Sequence, residues 1–392
     1  MNGKPVVIVF ILMLAASAAL FFMPADEDSF ARENRTRTEM PVLSADSFFS
    51  GEFATGFDSY VNDNIAFRSE LVAAGRYLSD NKGITPPDGK VVYTDKDIGT
   101  ETVQKACMLI ADGKIMEVFT KNEDSERVYA EAINHISENI DEDINVYAAL
   151  VPTQLEFSGR LYSSIQTSQR DTIEEIYGML NPRVTGVDIY STLENHTDEY
   201  IYYRSDHHWT MLGSYYGYSA FMKARGTAPA SLSNFELSDQ GEFYGYLYEQ
   251  YPDSSIQKDT LEWYDTAKAA DLTIEMESIR DGKVNKYTSP MFDETKHDYS
   301  FFFSADHPYT KITNKKILNG ETLLVIKDSF ASNFVPWCVN NYSTIIMVDP
   351  RTYNGNLRDV FNENDIDDVL VLNYIFTTSF EDYCEKMTGM FK

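Results

Sequence analysis

Beyond about residue 105, short apolar runs alternate with amphipathic stretches. Residues 108–119 read as a β-hairpin turning at Asp112-Gly113, a pair suited to positive φ. An amphipathic helix is expected over about 123–139. The continuously apolar run 144–151 that follows reads as a strand buried on both faces. Helices are expected at about 168–180, 190–195 and 210–225, with a strand over 184–189. The rhythm returns with strands 322–327, 344–348 and 368–372, separated by helices near 330–340 and 357–362. Apolar strands alternating with helices define βαβ units: an α/β fold with a mainly parallel sheet and helices on both faces. Residues 226–318 break the rhythm, are rich in Tyr, Ser and Asp, and read as an irregular insertion with small hairpins.

The N-terminus sets the expected compartment. Residues 5–23 are uncharged and apolar, and nineteen residues at about 1.5 Å each give about 28 Å, close to a bilayer's hydrocarbon thickness. Signal-peptide cores are shorter, about 7–15 residues. Lys4 precedes the run while Asp26, Glu27 and Asp28 follow it, which orients the bulk of the chain outward. The expectation is a single-pass anchor within 1–25 and an extracytoplasmic remainder, secreted if the segment is cleaved. Residues 26–90 read as a tether and entry helices, one near 51–62 with Phe53, Phe57 and Tyr60 on one face and one near 67–78. The main domain then occupies 91–392.

Composition narrows the function. The 392 residues carry 33 Lys+Arg against 61 Asp+Glu, a formal charge of −28, which repels nucleic acid and anionic membrane surfaces alike. Cys107, Cys338 and Cys384 lie far apart with no CxxC pair, so a cysteine-based zinc site is excluded. Three buried thiols, or one disulfide and one thiol, both remain open.

Two segments carry candidate chemistry. Ser329 follows the strand 322–326 and opens a helix, a turn that places a hydroxyl at the sheet edge beside helix N-terminal amides. A plain helix cap is the bland alternative there. The second is Ser205-Asp206-His207-His208-Trp209-Thr210, which holds two of only six histidines. In an extended stretch Asp206 and His208 point to one side, where the carboxylate orients the imidazole. Metal ligation by Asp206, His207 and His208 is the weaker reading, because adjacent histidines diverge and no further ligand lies at metal spacing. Together the segments supply an Asp orienter, a His base and a Ser nucleophile in that chain order. GxSxG, HExxH, P-loop and GxGxxG motifs are absent.

Ser205 to Thr210 resembles the signature of the DHHW proteins, which are similar to the alginate O-acetylation proteins of the SGNH-hydrolase-like superfamily. There an Asp-x-His-Trp segment precedes an Asp-Ser-(Phe/Tyr) segment, here Asp328-Ser329-Phe330. The match extends to Glu33-Asn34-Arg35 with Pro41, Gly51-Glu52-Phe53, Asn62-Asp63-Asn64 with Phe67-Arg68, Val151-Pro152-Thr153 and Val348-Asp349-Pro350-Arg351. Lys327 departs from the GDSL-like pattern, which has Gly before the Asp.

The resemblance implies an SGNH-hydrolase-like three-layer sandwich. It implies Ser329 as nucleophile, His208 as base and Asp206 as orienter; separately, no cofactor and no metal are expected. The implied activity is transfer or removal of acetyl groups on a cell-surface glycan, often beside a membrane-bound acyl-carrying partner. Asn373 and Arg351, at the ends of two expected strands, are candidate oxyanion donors. Trp209 and Tyr203, with Tyr202, Tyr215 and Tyr216, are candidates to stack on sugar. The rival expectation is a non-catalytic glycan-binding or scaffold protein with a degenerate site.

Overall fold

The computed structural model describes residues 89–97, 103–159, 165–280 and 283–391, with scattered positions between 40 and 60. The expected anchor, most of the tether and the helix over 67–78 lie outside the described residues. No helix among the described residues is long and apolar enough to cross a membrane. Phe53, Phe57 and Tyr60 do share a face: their rings stack in succession at 5.9 and 6.4 Å.

The described residues form thirteen strands in chain order: β1 (Lys90–Asp97), β2 (Val103–Ala111), β3 (Lys114–Glu117), β4 (Asn145–Val151), β5 (Val184–Gly186), β6 (Leu237–Phe243), β7 (Asp259–Tyr264), β8 (Leu272–Arg280), β9 (Lys283–Thr288), β10 (Tyr309–Asn314), β11 (Thr322–Lys327), β12 (Thr344–Val348) and β13 (Asp368–Tyr374). Eight of them form one mixed sheet in the order β5-β4-β13-β11-β12-β10-β8-β9. The run from β5 to β12 is parallel, and β10, β8 and β9 join antiparallel.

This corrects the expectation of a mainly parallel sheet with an irregular insertion. Residues 226–318 extend the central sheet by three strands, and add the antiparallel pair β6–β7 beside it. The hairpin β2–β3 turns where expected, with Asp112 and Gly113 at φ 51° and 76°. β1 extends it to a three-stranded sheet.

Every residue of β11 and β13 is buried, so both faces of the sheet are covered. Tyr147 on β4 meets Phe221 of the Met211–Ala224 helix edge-on at 5.2 Å. Register pairs Tyr147 with Leu370 and Leu150 with Asn373, so Tyr147 and Asn373 lie three positions apart and face opposite sides. Asn373 meets Tyr129 of the Glu123–Glu138 helix and Tyr383 of the Glu381–Gly389 helix. Helices therefore cover both faces, and the parallel strands bring the turns after β4, β11, β12 and β13 to one carboxyl edge. All three cysteines are free.

Candidate active site

Ser329 sits in the turn between β11 and the Ala331–Cys338 helix. Asp328 shapes that turn. Its Oδ1 accepts the Phe330 amide at 3.0 Å, and its Oδ2 accepts the Tyr374 amide at 2.7 Å and the Thr377 hydroxyl at 2.8 Å, tying the turn to the end of β13. Burial raises the Asp328 pKa, against the lowering pull of Arg351 and these donors. The Ala331 and Ser332 amides donate to the Asp328 and Ser329 carbonyls, so the amides after the serine are already committed.

The histidine loop is framed by an antiparallel bridge between Tyr202 and Trp209. Between them residues 204–208 bend, so the extended stretch expected for Asp206 and His208 is not what aligns them. An Asx turn does: Asp206 Oδ1 accepts the His208 amide at 3.0 Å and lies 2.6 Å from His208 Nδ1. Its other oxygen accepts the Tyr246 amide at 2.8 Å. Burial pushes the Asp206 pKa up, but the His208 imidazole, its hydrogen bond, His207 and the Tyr246 amide outweigh burial and hold it well below the usual carboxylate range.

The two segments meet. His208 Nε2 lies 2.7 Å from Ser329 Oγ, across 121 residues of sequence. Trp209 staples them: its indole N–H donates to the Phe330 carbonyl at 3.0 Å, and the Asn333 amide side chain donates to the Trp209 carbonyl at 2.8 Å. Asp259, fully buried at the start of β7, anchors the loop from behind by accepting the Arg204 amide at 2.6 Å, the Ser205 amide at 2.8 Å and the Ser205 hydroxyl. Ser205 Oγ in turn accepts the Gly245 amide at 2.9 Å.

Four candidate residues take other roles. Both ends of the Asn373 amide are committed inside the protein: Oδ1 accepts Tyr129, while Nδ2 donates to Tyr383 and Asp328. It is fully buried and offers nothing to an oxyanion. Arg351 is held by Asp349 at 2.5 Å and Asp306 at 2.7 Å. Those carboxylates also hold Lys327, whose Nζ lies 2.5 Å from Asp306 and 3.5 Å from Asp349. The lysine standing where the GDSL-like pattern has glycine thus anchors the turn. Trp209 and Tyr203 are fully buried and cannot stack on a sugar; Tyr202 is buried as well.

Asp206, His207 and His208 bring ligand-capable atoms within 4.8 Å of one another. Both nitrogens of His208 already face Asp206 and Ser329, which leaves that imidazole no lone pair for a shared ion.

Sequence reasoning missed Asp259, Gly245 and Tyr299. Tyr299 stacks on His208 with ring centroids 3.6 Å apart and planes 4° apart.

Fold and site together define an α/β protein with a mixed sheet and an Asp–His–Ser hydrogen-bonded relay at its carboxyl edge. The family model described as DHHW protein matches residues 77–348, and the chain belongs to that family. A DHHW family protein from Eubacterium siraeum is 28% identical, with a TM-score of 0.64 over 74% of this chain and 97% of its own. Bacillus cereus PatB1 shares the fold at 19% identity and a TM-score of 0.59, over 71% of this chain and 99% of its own. No curated protein matches.

Proposed function

We propose that the chain is an SGNH-hydrolase-like enzyme that transfers or removes acetyl groups on hydroxyls of a cell-surface polysaccharide. The reading rests on one observation, the continuous relay from Ser329 Oγ through His208 to Asp206, with links of 2.7 and 2.6 Å. In this reading His208 Nε2 takes the Ser329 proton as Oγ bonds the acetyl carbonyl carbon and the carbonyl electron pair moves onto oxygen. The Ser329 amide is the turn's donor to that oxyanion. Collapse breaks the bond to the leaving alkoxide, which takes the proton from the imidazolium. A second hydroxyl or water then repeats the sequence in reverse and frees Ser329.

Asp206 keeps the proton on His208 Nδ1 and stabilises the imidazolium, as a third group does in Ser-His-Asp sites generally. The expected setting is extracytoplasmic, on a membrane anchor or secreted, with the glycan as substrate and a membrane-bound acyl carrier as donor. PatB1 has been solved with a sulfonyl adduct, which suggests the probe class to use.

Full-length protein should hydrolyse p-nitrophenyl acetate, and Ser329→Ala should lower kcat by more than about 10³-fold. A Ser329→Ala protein with undiminished turnover would contradict the nucleophile. A chain inert to the ester but binding glycan would instead be the non-catalytic scaffold.

A further inference from the structure

We infer that Tyr299 is a positioning residue that holds base and nucleophile in register, an inference that rests on the acyl-transfer reading of the site. Its ring lies flat on the His208 imidazole, 3.6 Å between centroids and 4° from parallel. Its hydroxyl donates to the Ser329 carbonyl at 2.8 Å. One side chain therefore touches both halves of the relay.

The stack stops the imidazole from rotating away from Oγ and keeps water off one face of it. A flat aromatic face also favours the imidazolium that forms in each half of the cycle. The hydroxyl ties the serine's own backbone to the same ring, so the Nε2–Oγ separation is set by one rigid body rather than by two independent loops.

The segment carrying Tyr299 is built to be rigid. Tyr299–Phe301 is a single 3₁₀ turn whose N-cap, Asp298, accepts the Ser300 amide at 2.9 Å. Phe301, Phe302 and Phe303 follow, all buried. Phe302 pairs with Phe292, and the Phe303 amide donates to the Met291 carbonyl at 2.9 Å. Phe303 and Ser304 then adopt φ of 60° and 66°. A bulky residue in the left-handed region is strained, and such strain persists only where surrounding packing imposes it. Tyr203 meets Tyr299 edge-on at 6.4 Å and adds to that packing. Mere core filling requires neither the parallel stack nor the bond to the Ser329 carbonyl.

The test uses the full chain with p-nitrophenyl acetate and separates kcat from KM. Tyr299→Leu removes the stack and the tether, and kcat should fall roughly 50-fold with KM within about 2-fold, since misplacement of about 1 Å costs on the order of 10²-fold. Tyr299→Phe keeps the stack and loses the tether, and should cost about 5-fold in kcat. Unchanged kcat in Tyr299→Leu overturns the inference. Should that variant fail to fold by circular dichroism, unchanged kcat in Tyr299→Phe overturns it instead. The His208 ring protons, read by NMR, supply an independent measure. Stacked on Tyr299 they resonate upfield, and should move downfield in Tyr299→Leu. No movement overturns the inference. A downfield shift in Tyr299→Leu beside a wild type that neither turns over ester nor takes a sulfonyl label on Ser329 would sink the acyl-transfer reading while the positioning role of Tyr299 survived.

Discussion

Asp206 accepts three hydrogen bonds, from two groups of His208 and from the Tyr246 amide, and each needs the carboxylate in one place. Gly245 makes room for it: a Cβ there would lie 2.3 Å from Asp206 Cβ and 2.6 Å from Oδ2. Gly245→Ala should therefore displace the carboxylate and lower kcat at least about 10-fold, an effect of misplacement. A protein with native circular dichroism and full turnover would contradict this. Spacing and resemblance made Asp206, His208 and Ser329 readable as a set. The Asx turn that aligns the first two was not readable, because a two-residue spacing fits a strand as well as a bend. Trp209 and Tyr203 were misassigned for a related reason: an aromatic residue beside a reactive motif reads the same whether it faces substrate or, as here, the core. Tyr299 and Asp259 carry no local signal, since their roles depend on partners distant in sequence.

At the scale of elements, the histidine loop is held from three sides: Trp209 to the helix after Ser329, Gly245 and Tyr246 above Asp206, and β7 through Asp259. Asp259→Ala leaves the Arg204 and Ser205 amides without their acceptor in a buried site. Unsatisfied buried donors cost about 1–3 kcal/mol each. The variant should lose about that much stability in urea unfolding and turn over more slowly, and a variant matching wild type in both would contradict the anchoring role. The parallel strands were readable because both faces are buried, which demands unbroken apolar runs. β10 was not, since its buried positions include Thr310, Ile312 and Asn314, so polar groups interrupt the apolar alternation. β9 is exposed along its length and has no buried face to betray it. Both lie in the segment read as an insertion.

Across the whole molecule, two remote stretches form one site because β11 and its neighbours end together beside an ionic cluster in which buried Lys327 and Asp349 meet the more exposed Asp306 and Arg351. Burial acts to raise the Asp306 pKa, but Lys327 and Arg351 outweigh it and hold it well below the ordinary carboxylate range. A depressed folded pKa stabilises the protein above the unfolded value near about 3.9, and that stability is lost as pH falls below it. Asp306→Asn should cost about 1 kcal/mol at pH 7, because solvent screens the partly exposed carboxylate and Lys327 keeps Asp349, and the gap to wild type should narrow in urea unfolding near about pH 3. A gap that stays constant with pH would contradict the account. Asp328 and Asp259, whose pKa values are raised chiefly by burial, act in the opposite sense. The most direct measurement of the central claim is covalent. Full-length protein treated with a serine-reactive sulfonyl fluoride and digested for mass spectrometry should carry one adduct, on Ser329, which His208→Ala abolishes. An unlabelled Ser329, or labelling that survives loss of His208, would contradict it.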